Sequence, residues 1–323
     1  MVDNDDNLAI DTHRLSKSYK DVDALRPLDL KVSRNSIFGF LGPNGAGKTT
    51  TIKLLLGLTR PTSGGGKVLG NDIGSESVKI RGKTGYLAQN PRYYEYMSAR
   101  DTLRFRARFF YRGPKDQIED RVAETLELVG LSDKADRPIK GFSGGELQRL
   151  GIAQAQVNYP ALLILDEPAA NLDPQGRRDV LEVMERLRRY STIFYSTHIL
   201  DDVQQVSDTV AIMNHGRLIA QEPLETLLAG SDGAVYTVTI KGDAEQARAR
   251  VADQEWVSAV NVAGDDGHYQ WQVSVVDEVV AETQLLRLIL ADEQLMVTGF
   301  GRKKYELEEI FMSLVEGDED GER

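Results

Sequence analysis

The sequence predicts an α/β fold: a mainly parallel, helix-covered sheet, joined by an antiparallel β region and a helical region, and followed by a small α+β domain of ferredoxin-like order. Three observations predict it. Wholly apolar strands alternate with helical stretches, one of those strands runs straight into a glycine-rich turn and a helix, and beyond residue 234 the runs follow the order βαββαβ.

Residues 8 to about 35 alternate apolar and polar positions around a turn, as in Leu28-Asp29-Leu30-Lys31-Val32, which is the period-2 pattern of antiparallel strands. Ile37-Phe38-Gly39-Phe40-Leu41 reads as a buried strand. It leads into Gly42-Pro43-Asn44-Gly45-Ala46-Gly47-Lys48-Thr49-Thr50, then a helix predicted over 52–58 and stopped by Arg60-Pro61. Gly85-Tyr86-Leu87-Ala88 is strand-like, and 95–160 reads mostly helical with punctuation at Gly113-Pro114. A second apolar strand, 161–165, ends in Asp166-Glu167-Pro168. Strands follow at 191–197 and 209–213, with a hairpin turn at Asn214-His215-Gly216. Such alternation implies a parallel sheet that gathers ligands at its carboxyl edge.

Ala229-Gly230-Ser231-Asp232-Gly233 reads as a short flexible joint. Beyond it we expect strand 234–240, helix 243–252, strands 256–263 and 268–276, helix 277–291 and strand 294–300. A closing segment with Tyr305, Leu307, Ile310, Phe311 and Leu314 is apolar at helical spacing and is expected to pack back onto the protein. The expected domains are therefore 7–228, 234–316 and an acidic tail, 317–323.

The chain has 323 residues, 41% hydrophobic and 28% charged, enough for about two domains at roughly 100–200 residues each. It has no apolar run long enough to span a bilayer, and its acidic start lacks the basic and apolar parts of a signal peptide. The expectation is a cytoplasmic protein unless a partner holds it at a membrane. The absence of Cys excludes disulfides and thiolate metal sites, and four scattered His leave little for an imidazole site. A net charge of −11 disfavours nucleic acid as a partner. Most of that excess lies in the terminal residues Asp3, Asp5, Asp6, Glu316, Asp318, Glu319, Asp320 and Glu322, so a local basic patch remains compatible with it.

Gly42-x4-Gly47-Lys48-Thr49 lies between a buried strand and a helix. Backbone N–H groups of such a turn point inward, the helix N-terminus adds its positive dipole end, Lys48 neutralises β- and γ-phosphates, and the Thr49 hydroxyl can ligate Mg²⁺. Chance would place this pattern in on the order of one chain in a hundred of this length. The apolar run Leu162-Leu163-Ile164-Leu165 ends in two carboxylates. It sets Asp166 at the sheet's carboxyl edge, where it can hold water on Mg²⁺, and lets Glu167 face the γ-phosphate.

Phe142-Ser143-Gly144-Gly145-Glu146-Leu147-Gln148-Arg149 stands between these motifs. It resembles the Leu-Ser-Gly-Gly-Gln signature of ABC-type ATPases, from which it departs by Phe142 and Glu146. The resemblance covers residues 7–228 and implies that family's phosphate-loop fold, with an antiparallel β subdomain and a helical subdomain. It also implies a head-to-tail dimer in which Ser143, Gly144, Gly145 and Glu146 cap the ATP held by another subunit, with Asp173 of Asn171-Leu172-Asp173 crossing the interface. By the same resemblance Gln89 reaches Mg²⁺ and the attacking water, His198 bonds the γ-phosphate, and Tyr19 stacks on adenine. Glu167 would then polarise the attacking water, with Lys48, His198 and a second subunit's Ser143 stabilising the transferred group. ATP and Mg²⁺ are the implied cofactors.

The family includes transporter subunits and relatives that act on ribosomes, DNA or cofactor assembly. One ATPase unit without a coiled-coil insertion, and no basic footprint, favours the first. The segment 92–112 occupies the place where transporter subunits receive a membrane partner. It holds an aromatic group, Tyr93, Tyr94, Tyr96 and Met97, and a basic one, Arg100, Arg104, Arg106, Arg108 and Arg112. Phe105, Phe109 and Phe110 can equally be helix core and the arginines a solvated face. Leu307-Glu308-Glu309-Ile310-Phe311 is similar to the tail of bacterial exporter ATPases of the drug-, bacteriocin- and sodium-efflux type, in which the ATPase is a separate chain beside a permease. The expected function is thus an ATPase energising export through a permease of about six spans of ~20 residues, as a dimer with itself or a close relative. The alternative is a soluble ABC-type ATPase acting on a macromolecular assembly. The 234–300 region is read as dimer-stabilising or as a small-ligand sensor.

Overall fold

The alternating stretch at the start forms β1 (Leu8–Tyr19), β2 (Val22–Leu28) and β3 (Lys31–Ser33), with Ile10, Leu15, Leu25, Leu28 and Val32 turned into the core. A computed structural model describes residues 7–112, 114–229, 234–242, 244–265, 268–292, 295–303 and 306–320. Strand β4 (Ile37–Leu41) is buried at every position and leaves this sheet for another. Helix α1 (Lys48–Leu55) follows, and the chain returns in β5 (Ser63–Val68) and β6 (Asn71–Asp72) to complete the first sheet in the order β2-β1-β5-β6, with β3 on β1. β5 is built from Ser-Gly-Gly-Gly-Lys-Val, a composition without strand periodicity.

After α2 (Ser77–Lys83) come β7 (Thr84–Leu87), the helical region, β8 (Leu162–Asp166), α6 (Pro174–Leu187), β9 (Thr192–Thr197), α7 (Leu200–Val206), β10 (Thr209–Asn214) and β11 (Arg217–Pro223). The helical region is α3 (Ala99–Ala107), α4 (Lys115–Leu128) and α5 (Gly144–Gln156). The second sheet runs β11-β10-β4-β9-β8-β7, parallel except for the β10–β11 hairpin. Its carboxyl edge therefore carries the ends of β4, β8 and β9 side by side. Phe38 and Phe40 pack on Phe194 at ring-centroid distances of 5.6 and 5.2 Å, fixing β4 against β9. Each such buried side chain is worth about 1.5–3 kcal/mol over its exposed state.

Expected and observed boundaries differ most at α1, which starts at Lys48 and not at 52. Gly47, at φ 97°, turns the chain directly into the helix, and Gly57, at φ 60°, turns it out again. Gly47 is required here on two grounds, since a Cβ would also lie 2.7 Å from the Ala24 carbonyl oxygen.

The residue contacts divide the chain into two units, one running to Leu224 and including Leu314 onward, the other Glu225–Ser313. Helix α8 (Leu224–Ala229) starts on the last residue of the first unit's run, and in the second unit the order is β12 (Ala234–Lys241), α9 (Glu245–Ala252), β13 (Val257–Asp265), β14 (His268–Val275), α10 (Glu278–Leu290) and β15 (Met296–Arg302), a ferredoxin-like βαββαβ. Its antiparallel sheet, β13-β14-β12-β15, holds Val238, Ile240, Trp271 and Val273 against Leu285 and Ile289 of α10. Helix α11 (Leu307–Asp320) ends the described chain, so the helix continues through the first part of the expected acidic tail. The expected joint at Gly230–Gly233, the punctuation at Gly113, Tyr305 and residues 321–323 lie outside the described residues. No described helix is long and apolar enough to cross a membrane.

Candidate active site

The site is assembled where β4, β8 and β9 end. The turn 42–47 carries the chain from β4 into α1, whose first residue is Lys48. Lys48 Nζ donates to the Gly42 and Pro43 carbonyls at 2.6 and 3.2 Å and lies 3.3 Å from Glu167 Oε1. Both side chains of this ion pair are almost fully buried. Thr49 Oγ1 donates to Asp166 Oδ2 at 3.2 Å. A hydroxyl facing a carboxylate suits a hard cation that takes its remaining positions from phosphate and water.

Strand alternation would send Asp166 and Glu167 to opposite faces. Glu167 breaks the alternation with φ 53°, a left-handed backbone region that is uncommon for non-glycine residues. Its N–H donates to Ser196 Oγ at 3.0 Å, and the Ser196 hydroxyl donates to Asp166 Oδ1 at 2.6 Å. One fully buried serine on β9 thus holds both consecutive residues of the carboxylate pair. Glu167 Oε2 in turn lies 2.8 Å from His198 Nδ1, so Lys48, Glu167 and His198 form a continuous chain of contacts. Ser196 escapes sequence reading because a lone hydroxyl inside Ile-Phe-Tyr-Ser-Thr carries no period; only the paired register of Asp166 with Ser196 reveals it.

A cavity of about 820 Å³ opens over the turn. Pro43, Asn44, Gly45, Gly47, Lys48, Thr49, Thr50, Gln89 and Glu167 line it, and Asp166 and His198 abut it through Thr49 and Glu167. Asp21, Asp23, Arg26 and His215 also line it, none of which the sequence singles out for chemistry. The Gly216 carbonyl accepts from the Arg26 N–H at 2.8 Å, which brings the β10–β11 turn to the cavity wall. Tyr19 does not line the cavity: it is half-exposed at the end of β1, with Lys17 Nζ 4.8 Å from its ring centroid.

Ser143, Gly144, Gly145, Glu146 and Asp173 do not line this cavity either. They come together at the start of α5 and α6. Ser143 caps α5 in a reciprocal box, its Oγ accepting from the Glu146 N–H while Glu146 Oε2 accepts from the Ser143 N–H at 2.9 Å. Asp173 caps α6 by accepting from the Gly176 N–H at 3.2 Å. Gly145 allows the two helix starts to meet, since a Cβ there would lie 3.0 Å from Gly176 Cα. Two exposed helix N-termini, with a serine hydroxyl and bare glycines, can receive an anion from outside the chain.

A second concavity, about 510 Å³, lies between the segment after Gln89 and α3, lined among others by Pro91, Arg92, Tyr93, Met97, Phe105 and Phe109. Tyr93 is a structural member: its hydroxyl donates to the Leu147 carbonyl at 2.8 Å, and burial pushes its pKa up. Tyr94, Tyr96, Phe105 and Phe109 are at least half-exposed, so Phe105 and Phe109 are not helix core. The expected basic cluster is smaller than its sequence suggests. Arg100 pairs with Asp136, Arg104 pairs with Asp101 and Glu119, and Arg106 packs over the Phe110 ring.

The profile of the family described as "ABC transporter" matches residues 25–170. The chain is 37% identical over 93% of its length, and 97% of the relative's, to the uncharacterized ABC transporter ATP-binding protein YxlF of Bacillus subtilis. It is 39% identical to the bacitracin transport ATP-binding protein BcrA of Bacillus licheniformis over 68% of this chain and 71% of that one. To the daunorubicin/doxorubicin resistance ATP-binding protein DrrA of Streptomyces peucetius it is 32% identical over 95% and 92%. Among solved structures, cbiO1 from Clostridium perfringens, part of an ABC transporter complex, aligns with TM-score 0.64 at 28% identity over 69% of this chain and 91% of that one. Likeness of this extent, on a chain that joins a phosphate-loop turn to a strand-end carboxylate pair, shows that it belongs to the ABC transporter ATP-binding proteins, ATP-hydrolysing subunits that dimerise and work with a membrane permease.

Proposed function

We propose that this chain energises export of a drug- or peptide-antibiotic-like compound through a separate permease of about six spans, from the cytoplasmic face of the membrane. The observation that carries the catalytic part is the contact chain Lys48–Glu167–His198 at the wall of a phosphate-loop cavity. Glu167 orients and polarises the attacking water, with Gln89, which lines the same cavity, reaching it as well. Lys48, the backbone of Gly42, Pro43, Asn44, Gly45, Ala46 and Gly47, and the Thr50 hydroxyl hold the phosphates, and His198 donates to the γ-phosphoryl group. Thr49, Gln89 and Asp166 would hold Mg²⁺, whose charge offsets that of the phosphates when bound. Tyr19, exposed at the end of β1, stacks on adenine. A second copy, or a close relative, supplies Ser143, Gly144, Gly145, Glu146 and Asp173.

The likeness to transport proteins for bacitracin and daunorubicin supports export, and the aromatic concavity beside α3 supports docking of the permease there. No nucleic-acid partner is required. We assign 7–228 to ATP binding and 234–316 to dimer stabilisation. The test is co-expression with a candidate permease of about six apolar spans: vesicles carrying both should consume ATP and accumulate the compound, and Glu167→Gln should abolish both. Accumulation that survives Glu167→Gln would overturn the proposal. Removal of 230–323 should spare ATP binding and weaken dimerisation, and unchanged dimerisation would refute the role given to 234–316.

A further inference from the structure

We propose that Lys134 is a positioning residue for ATP-driven closure, neutralising the carboxylate that this chain carries inside its own phosphate-capping helix start. The inference rests on the reading that the N-terminus of α5 receives the γ-phosphate held by a second subunit. Glu146 is the third residue of α5 and is only 8% exposed. Its two oxygens have separate duties. Oε2 accepts from the Ser143 N–H at 2.9 Å, closing the reciprocal cap, and Oε1 meets Lys134 Nζ at 2.6 Å. Burial alone would raise the carboxyl pKa, but Lys134 and the Ser143 N–H outweigh it and hold the group below its ordinary value, so it is a carboxylate at neutral pH.

A glutamine at this place would close the same cap without charge. A glutamate closes it and adds a full negative charge at the helix end that must accept a phosphate, which repels the incoming group. Lys134 comes from a short 3₁₀ turn, Ser132–Lys134, outside α5, and reaches the oxygen that the cap leaves over. It therefore cancels the charge without competing for Ser143. The Ser143 Oγ accepts from the Glu146 N–H at 3.3 Å, which leaves its hydroxyl proton for an anion. Arg137 also lowers the Glu146 pKa, by charge alone and less than Lys134 does. The ion pair is a third exposed on the lysine side, which sets the scale of the effect.

The test is a set of variants of the full chain, read by steady-state hydrolysis and by ATP binding to the isolated subunit. Lys134→Met should lower turnover roughly five- to tenfold, the worth of a partly buried ion pair, and leave ATP binding at the phosphate loop unchanged. Lys134→Arg, which keeps the charge, should restore most of the rate. In a Glu146→Gln background, Lys134→Met should change the rate less than about twofold, because no carboxylate is left to neutralise. A wild-type rate for Lys134→Met, an equal loss with Lys134→Arg, or a full loss in the Gln background would each overturn the proposal. Ser143→Arg is the control for the underlying reading: if it hydrolyses normally, the shared site itself is wrong, whereas a dead Ser143→Arg beside an active Lys134→Met condemns the Lys134 role alone.

Discussion

Replacing Glu167 by Gln removes one charge and almost no volume from the centre of the contact chain. At 3.3 Å, Lys48 and Glu167 attract by about 5 kcal/mol at an effective dielectric constant of about 20. Much of that is offset by the desolvation of two almost fully buried groups. Lys48 retains the Gly42 and Pro43 carbonyls, so the variant should lose only about 1–3 kcal/mol of stability and stay folded. Its phosphate-binding backbone is untouched, and ATP should bind. On the role proposed for Glu167, the chemical step should lose the group that polarises water, a fall of about 10²–10⁴ in rate, or roughly 3–5 kcal/mol of barrier. Phosphate release gives the rate, equilibrium binding of labelled ATP gives occupancy, and size-exclusion chromatography with ATP reports accumulation of the closed dimer. Hydrolysis within about threefold of wild type would refute the assignment of Glu167. Loss of ATP binding together with hydrolysis would refute the separation of phosphate holding from water activation.

Ser143→Arg should abolish hydrolysis while ATP still binds, because Ser143 lies outside the cavity that holds the phosphate-loop residues; equal loss of both would argue against a shared site. Ser196→Ala removes the hydroxyl shared by Asp166 and the Glu167 N–H and should cost about 1–3 kcal/mol in stability with a larger proportional fall in turnover, measured by thermal unfolding and phosphate release. The Glu146 carboxyl is held below its ordinary 4.5, so its contribution to stability is complete above that pH and is lost as pH falls through the lowered value. Unfolding temperatures taken between about pH 6 and pH 3 should therefore fall less steeply for Glu146→Gln than for wild type, and parallel curves would contradict the ion pair.

The phosphate turn, the carboxylate pair and the signature at 142–149 were legible because each is a short, local pattern. Ser196 was not, since its importance comes from the β8–β9 register, which pairs residues thirty positions apart. The same remoteness hid the neutralisation of Arg100 by Asp136 and of Arg104 by Glu119, which made α3 look more basic than it is. The first helical residue was misread by four positions because apolar spacing marks where a helix buries a face, while Gly47 decides where it begins. Arg26 and His215 reach the cavity only through the clasp between β2 and the β10–β11 turn. Strand β5 went unread because three successive glycines look like a loop until the antiparallel partner β1 supplies the hydrogen bonds.

The left-handed backbone at Glu167 sets local folding preference against chemistry. In ordinary strand or helix, alanine is the better residue and glycine the weaker one. At position 167 the order inverts: Glu167→Gly relieves a conformation that costs a side-chain-bearing residue about 1–2 kcal/mol, so it should be the more stable of two inactive variants, Glu167→Ala the less. A screen that compared these two variants by stability alone would therefore favour glycine, although both lack the carboxylate. At this one peptide the backbone favours glycine, while the ion pair with Lys48 and the proposed activation of water favour the carboxylate.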